Sequence, residues 1–91
     1  MSIDRPGGGA SGKRFKSTIK LIVAQRIREE RHHRKMTQIE LAELAGMSDR
    51  YLALVEVGKG NLSIEKLERI AAVFDLDPSV LLVMPKNRQD E

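Results

Sequence analysis

From Gln38 to Ser48 the chain reads Gln-Ile-Glu-Leu-Ala-Glu-Leu-Ala-Gly-Met-Ser: a short helix, a glycine break at Gly46, and the cap of a second helix that begins at once. Two helices joined by so brief a turn must cross steeply, which leaves the second standing out from the body of the fold. This geometry restricts the chain to helical architectures built around such a corner. It is also the arrangement that lays its second helix in a DNA major groove, so the spacing predicts a chain that reads DNA.

The same kind of punctuation recurs along the rest of the sequence. Met36-Thr37, Met47-Ser48, Leu62-Ser63 and Leu76-Asp77 each place an apolar residue before a capping residue, and Leu41, Leu52, Leu67 and Leu81 follow four positions after the cap. That is the hydrophobic staple of a helix start, found at four places. Thr37 with Glu40 completes a capping box, and Asp77 followed by Pro78 supplies a cap and a favoured first helical residue. A helix ahead of these, from about Thr18 to Arg34, is read from Ile19, Val23 and Ile27 at spacing four. In the fourth helix Ile64, Leu67, Ile70, Ala71 and Phe74 share one face, with Glu65, Lys66, Glu68 and Arg69 turned outward. Gly46 and Gly58 stand where the second and third helices should close in a left-handed residue. The expectation is all-α, with five helices.

Ninety-one residues hold one small domain and leave no room for a second, catalytic one. Aromatic residues at 3% and charged residues at 32% suit a helical bundle better than a sheet. Residues 1–17, with Gly7, Gly8, Gly9 and Gly12 and no periodicity, are expected to be a disordered basic tail. Residues 18–84 are expected to form the domain, and 85–91 a short C-terminal tail. The basic end of the leader, Lys13, Arg14 and Lys16, suits an arm along phosphates or a leader with no function, and the residues do not choose between them. Cysteine is absent, which removes disulfides, thiolate nucleophiles and cysteine zinc sites. The apolar runs 70–74 and 80–84 are too short to cross a bilayer and the N-terminus lacks a secretion signal, so a cytoplasmic protein without a membrane partner is expected. His32 and His33 are adjacent and diverge on a helix, so no metal site is expected, and no cofactor. Gly7-Gly8-Gly9 lacks the strand and helix of a phosphate loop, and no Ser/His/Asp arrangement suggests itself; the chain is not read as an enzyme.

Charge is distributed unevenly behind a net +3. Residues 13–36 carry nine Lys or Arg against two acids, whereas residues 37–91 carry six against ten. A basic end of this kind would release counterions on phosphate and make binding salt-sensitive, although a solvated basic helix is the plainer reading. On the third helix Leu52, Val55 and Tyr51 face the core, which turns Asp49, Arg50, Ala53, Leu54 and Val57 outward or to the edge. Arg50 is the best base reader, since a planar guanidinium can donate twice to guanine. Asp49 accepts from cytosine, orients Arg50, or simply complements the helix N-terminus. Ala53 fits thymine-methyl contact, while burial is preferred for Leu54. The loop Lys59-Gly60-Asn61 offers phosphate donors from Lys59 and Asn61, or is a plain surface turn. After Pro78, Val80, Leu81, Leu82, Val83 and Met84 exceed what the outer helix of a lone domain needs, which predicts a two-fold self-interface through Val80, Leu81, Val83 and Met84 over simple capping of the core. A homodimer would set two recognition helices about 34 Å apart on a pseudo-palindromic duplex site.

Arg26-Ile27-Arg28 and Arg31, then Thr37-Gln38, Leu41-Ala42, Ala45-Gly46-Met47-Ser48, Tyr51-Leu52, Val55-Glu56, Gly58 and Leu67 through Ala71 resemble the Xre/Cro-type helix-turn-helix regulators in order and spacing over residues 19–82. The resemblance implies a five-helix lambda-repressor-like domain that binds double-stranded DNA and regulates transcription. It also implies that Gln38 binds a phosphate and braces the recognition helix, and that Arg31 and Glu56 form an internal ion pair. Glu30, Lys35 and Val57 depart from the pattern, where leucine, glycine and Arg or Asn are usual. Arg50-Tyr51-Leu52, Glu56, Gly58 and Asn61-Leu62-Ser63-Ile64 are similar to restriction-modification controllers and to the DNA-binding heads of aromatic-degradation regulators; the short chain favours the first, or a small phage-type repressor. The other reading is an antitoxin-type module that binds an unidentified partner protein as well as DNA.

Overall fold

The computed structural model describes residues 18–84. The expectations for residues 1–17 and 85–91 lie outside them. Four α-helices follow in order: α1, Thr18–His33; α2, Gln38–Ala45; α3, Asp49–Glu56; and α4, Ile64–Val73. Each of the last three starts where the staples place it. Thr37, Ser48 and Ser63 are extended N-caps whose hydroxyls accept from the backbone N–H three residues on, and Thr37 and Glu40 form the full capping box.

All four helices close in the same way. The residue after the last turn adopts a left-handed conformation, and the next N–H reaches back to a carbonyl five residues earlier: Met36 to Arg31, Met47 to Ala42, Lys59 to Leu54 and Leu76 to Ala71. Gly46 (φ 73°) and Gly58 (φ 80°) take that position after α2 and α3, as expected; Lys35 (φ 55°) and Asp75 (φ 59°) take it after α1 and α4. Lys35 thus occupies a left-handed position without the glycine that suits it.

The segment expected to be a fifth α-helix is a single short 3₁₀ helix, Pro78–Leu82. Asp77 caps it, but Ser79 spends both its N–H and its hydroxyl on the Asp77 carboxylate (2.9 and 2.7 Å). At the other end Val83 is extended (φ −130°, ψ 151°), and Met84 precedes a proline, which disfavours helical backbone. The element therefore ends after about one turn and a half.

The core comprises Val23 and Ile27 from α1, Leu41, Ala42 and Ala45 from α2, Leu52 and Val55 from α3, Leu67, Ile70 and Ala71 from α4, with Phe74 and Leu81. Helix α3 packs against α1 and α2, while the 3₁₀ helix lies against α1 and α4. Leu81, assigned from sequence to a self-interface, is instead fully enclosed by its own chain. The tight 3₁₀ turn drives it inward between α1 and α4, so it belongs to the core. At the other extreme Ile19 and Ile64, read as core-facing, are 58% and 76% exposed, because the first turns of α1 and α4 run past the packed layer.

Glu30, which departs from the family pattern, joins an ionic lattice. It bridges Arg34 and Arg26. Arg26 also pairs with Glu29 at 3.1 Å and donates to the carbonyl of Val80; Arg34 donates to the Phe74 carbonyl at 2.8 Å and lies over its ring. Polar groups thereby tie α1 to the C-terminal segments where a leucine would pack. No helix among the described residues is long and apolar enough to cross a membrane.

Candidate nucleic-acid interface

Helix α3 divides by face. Leu52, Val55 and Glu56 are buried, Tyr51 and Ala53 are half-buried, and Asp49, Arg50, Leu54 and Val57 are exposed. Leu54, expected to be buried, is 44% exposed; among the described residues α4 packs mainly on α2, so this edge of α3 is only partly covered. The Arg50 guanidinium has no hydrogen bond or ion pair among the described residues. Five donors on a planar group are thus free at the first turn of an outward-facing helix.

Glu56, only 1% exposed, is the hub that anchors this helix. Its carboxylate accepts two hydrogen bonds from Arg31, Nε to Oε2 and Nη2 to Oε1, both at 2.8 Å, and a third from Gln38 Nε2 at 3.0 Å. Arg31 also donates to the Met36 carbonyl, which ties in the turn between α1 and α2. Arg28 donates to the Glu56 main-chain carbonyl, a cation on the negative end of α3. A fork-to-carboxylate pair with a third hydrogen bond from Gln38 holds geometry far better than an exposed ion pair. The expected Arg31–Glu56 pair is present, and Gln38 is its third member.

Gln38, half-buried in the first turn of α2, therefore braces α3 through Glu56. The N-terminal amides of α2 and the second amide hydrogen of Gln38 are donors that an anion could use. The loop after α3 folds tightly back on it: the N–H groups of Lys59 and Gly60 both donate to the Leu54 carbonyl. A Cβ on Gly60 would stand 2.8 Å from Val55 Cγ2 and 3.1 Å from its backbone nitrogen, so glycine is required there by close approach. Lys59 is exposed beyond this turn; Asn61 is exposed, with its Oδ1 accepting from Lys20 Nζ at 3.3 Å and its carbonyl accepting from the Tyr51 hydroxyl. Burial pushes the Tyr51 phenol above its ordinary range.

Lys20, Arg28 and the Tyr51 hydroxyl are parts of this region that sequence reasoning passed over. The two cations had a signal: positions 20 and 28 lie eight apart and share the side of α1 that carries Arg31. At the far end of the domain Val80 is half-buried, while Leu82, Val83 and Met84 are 38%, 58% and 46% exposed. Leu82, counted in the apolar surplus from sequence but not assigned to the interface, is exposed where Leu81 is enclosed. His32 and His33 are exposed.

A helix-turn-helix family model matches residues 27–81. The immunity repressor protein of Bacillus phage phi105 is 39% identical over 62 residues, covering 68% of this chain and 43% of the repressor. Among solved structures, the N-terminal DNA-binding domain of SinR from Bacillus subtilis superposes with a TM-score of 0.66 at 34% identity, over 72% of this chain and 97% of that domain. The restriction-modification controller protein C.AhdI from Aeromonas hydrophila gives 0.66 at 32% identity, over 68% and 94%. The chain spans about half the length of the curated relatives it matches. The fold also forms 35% of the hydroxypropylphosphonic acid epoxidase of S. wedmorenis, at 30% identity and a TM-score of 0.67, a minor part of a larger enzyme.

Proposed function

Because this chain belongs to the Xre/Cro-type helix-turn-helix family, we propose that it is a DNA-binding transcriptional regulator that acts as a homodimer on a pseudo-palindromic operator. The observation that carries this reading is the outward edge of α3, with Arg50 exposed on a helix whose other end is locked by the Glu56 hub. A base reader must be free in its side chain and fixed in its backbone, and Arg50 meets both conditions.

Within this reading Arg50 donates to guanine O6 and N7, Asp49 accepts from a neighbouring cytosine or orients Arg50, and Ala53 lies against a thymine methyl. Gln38, Lys59 and Asn61 hold phosphates and set the register of α3 along the groove. Val80, Val83 and Met84, joined by Leu82, form the face between two copies, so that each protomer reads one half-site.

Selection of bound sequences from a random duplex pool tests the reading, followed by binding of two variants to the recovered site and to random DNA. Arg50→Ala should cost about 1–3 kcal/mol on the site and relax preference at one base pair, whereas Gln38→Ala should weaken all sequences alike. A pool that never enriches, or an Arg50→Ala loss equal on specific and random DNA, would overturn it.

A further inference from the structure

Beyond the contacts assigned above, the loop between α3 and α4 poses a question of placement. Its first half is fixed by main chain, since Lys59 and Gly60 both donate to the Leu54 carbonyl, and Ser63 is already the N-cap of α4. Asn61 lies between these two anchors, and side chains hold it. The Tyr51 hydroxyl, reaching out from the first turn of α3, donates to the Asn61 carbonyl. Lys20 of α1 takes the Asn61 Oδ1 at 3.3 Å. The Tyr51 ring is itself held in place, half-buried and capped by Lys66 Nζ of α4 at 5.0 Å from its centroid.

This arrangement has a chemical consequence for the Asn61 amide. With Oδ1 turned to an ammonium, the donor end, Nδ2, is the end left for an outside partner. A primary amide without such a restraint could present either its acceptor or its donor; only the donor suits a phosphate oxygen. We infer that Tyr51 is a positioning residue: its hydroxyl, together with Lys20 on Oδ1, presets Asn61 so that Nδ2 meets the DNA backbone. Two helices thereby converge on one residue of a loop, and a third steadies the Tyr51 ring. The inference rests on the DNA-binding reading and assigns Tyr51 no contact with DNA of its own.

The test is a double-mutant cycle between Tyr51→Phe and Asn61→Ala. The first variant removes the hydroxyl and keeps the ring under Lys66; the second removes the amide and keeps the carbonyl that Tyr51 holds. Affinity for a random-sequence duplex at low salt and the urea unfolding midpoint are measured for all four proteins. Tyr51→Phe should weaken duplex binding about two- to tenfold in the parent, the range of one modest hydrogen bond, and should add no further loss on the Asn61→Ala background. Any effect of Tyr51→Phe on the unfolding midpoint should be equal in both backgrounds, because the carbonyl bond is present in both. Full additivity of the affinity losses, or parent-like duplex affinity in Tyr51→Phe, overturns the inference while leaving the DNA reading intact. Absence of salt-dependent duplex binding by the parent chain overturns both.

Discussion

Glu56 shows how much one side chain can organise. It is almost wholly buried, yet its two oxygens receive three hydrogen bonds from Arg31 and Gln38, so its charge is compensated where it sits. Removing it strands Nε and Nη2 of Arg31 and the Gln38 amide, and leaves the buried guanidinium only the Met36 carbonyl. Glu56→Ala should therefore lower stability by about 3–5 kcal/mol in urea denaturation, well above the cost of losing an exposed pair such as Glu65–Arg69. Lys35 presents the opposite case. It holds a left-handed φ of 55° on an exposed site, where its Cβ crowds the following carbonyl and glycine would not. Lys35→Gly should raise stability by about 0.5–1 kcal/mol, the relief of strain less the entropy that glycine forfeits on folding, and thermal unfolding of the two proteins would show it.

At the scale of the elements, caps do more here than helix length. Three helices of eight to ten residues are too short to persist in water alone, and each is closed at both ends by its own side chain or turn. The 3₁₀ segment depends on Asp77 in the same way. Hydrogen bonds from the Ser79 N–H and hydroxyl hold the Asp77 carboxyl below its ordinary 3.8. The folded chain thus binds that proton more weakly than the unfolded one, so the cap stabilises fully above about pH 3.8 and its contribution fades as pH falls through the lower, folded value. As pH falls below 3.8, the parent should lose more stability than Asp77→Asn, which has no carboxyl to protonate; equal pH dependence in the two proteins would remove Asp77 from this account.

For the whole molecule, the apolar surplus of the C-terminal segment divides between two tasks. Leu81 completes the core, and Leu82, Val83 and Met84 face outward beside Val80. The proposed homodimer makes these tasks separable. Met84→Asp should shift the sedimenting species from dimer toward monomer with the unfolding midpoint of the isolated fold nearly unchanged. Leu81→Ala should instead cost about 2–5 kcal/mol of stability through the cavity it leaves between α1 and α4. If Met84→Asp sediments as the parent does, the self-interface lies elsewhere on the domain. Charge at this scale has its own consequence: basic residues of α1 reach the end of α3 through Arg28 and the adjoining loop through Lys20, so duplex binding should weaken steeply with added salt.

Local rules were enough to read the helix starts, the closures at Gly46 and Gly58, and the inward stripe of Val23, Ile27, Leu52, Val55, Leu67, Ile70 and Phe74. Caps and periodicity act within a few residues, so their signals lie in neighbouring letters. The Arg31–Glu56 pair and the bracing role of Gln38 were legible only through resemblance, because their partners lie far apart in the chain. What the tertiary structure alone decided is of another kind. It made the last element a 3₁₀ turn that drives Leu81 inward, left Leu54 partly exposed because α4 packs mainly on α2, compensated Glu30 with two arginines, and brought Tyr51, Lys20 and Lys66 together around one loop. These outcomes depend on which surfaces meet once the helices pack, and periodicity along a single helix says which face is apolar but not what will stand opposite it.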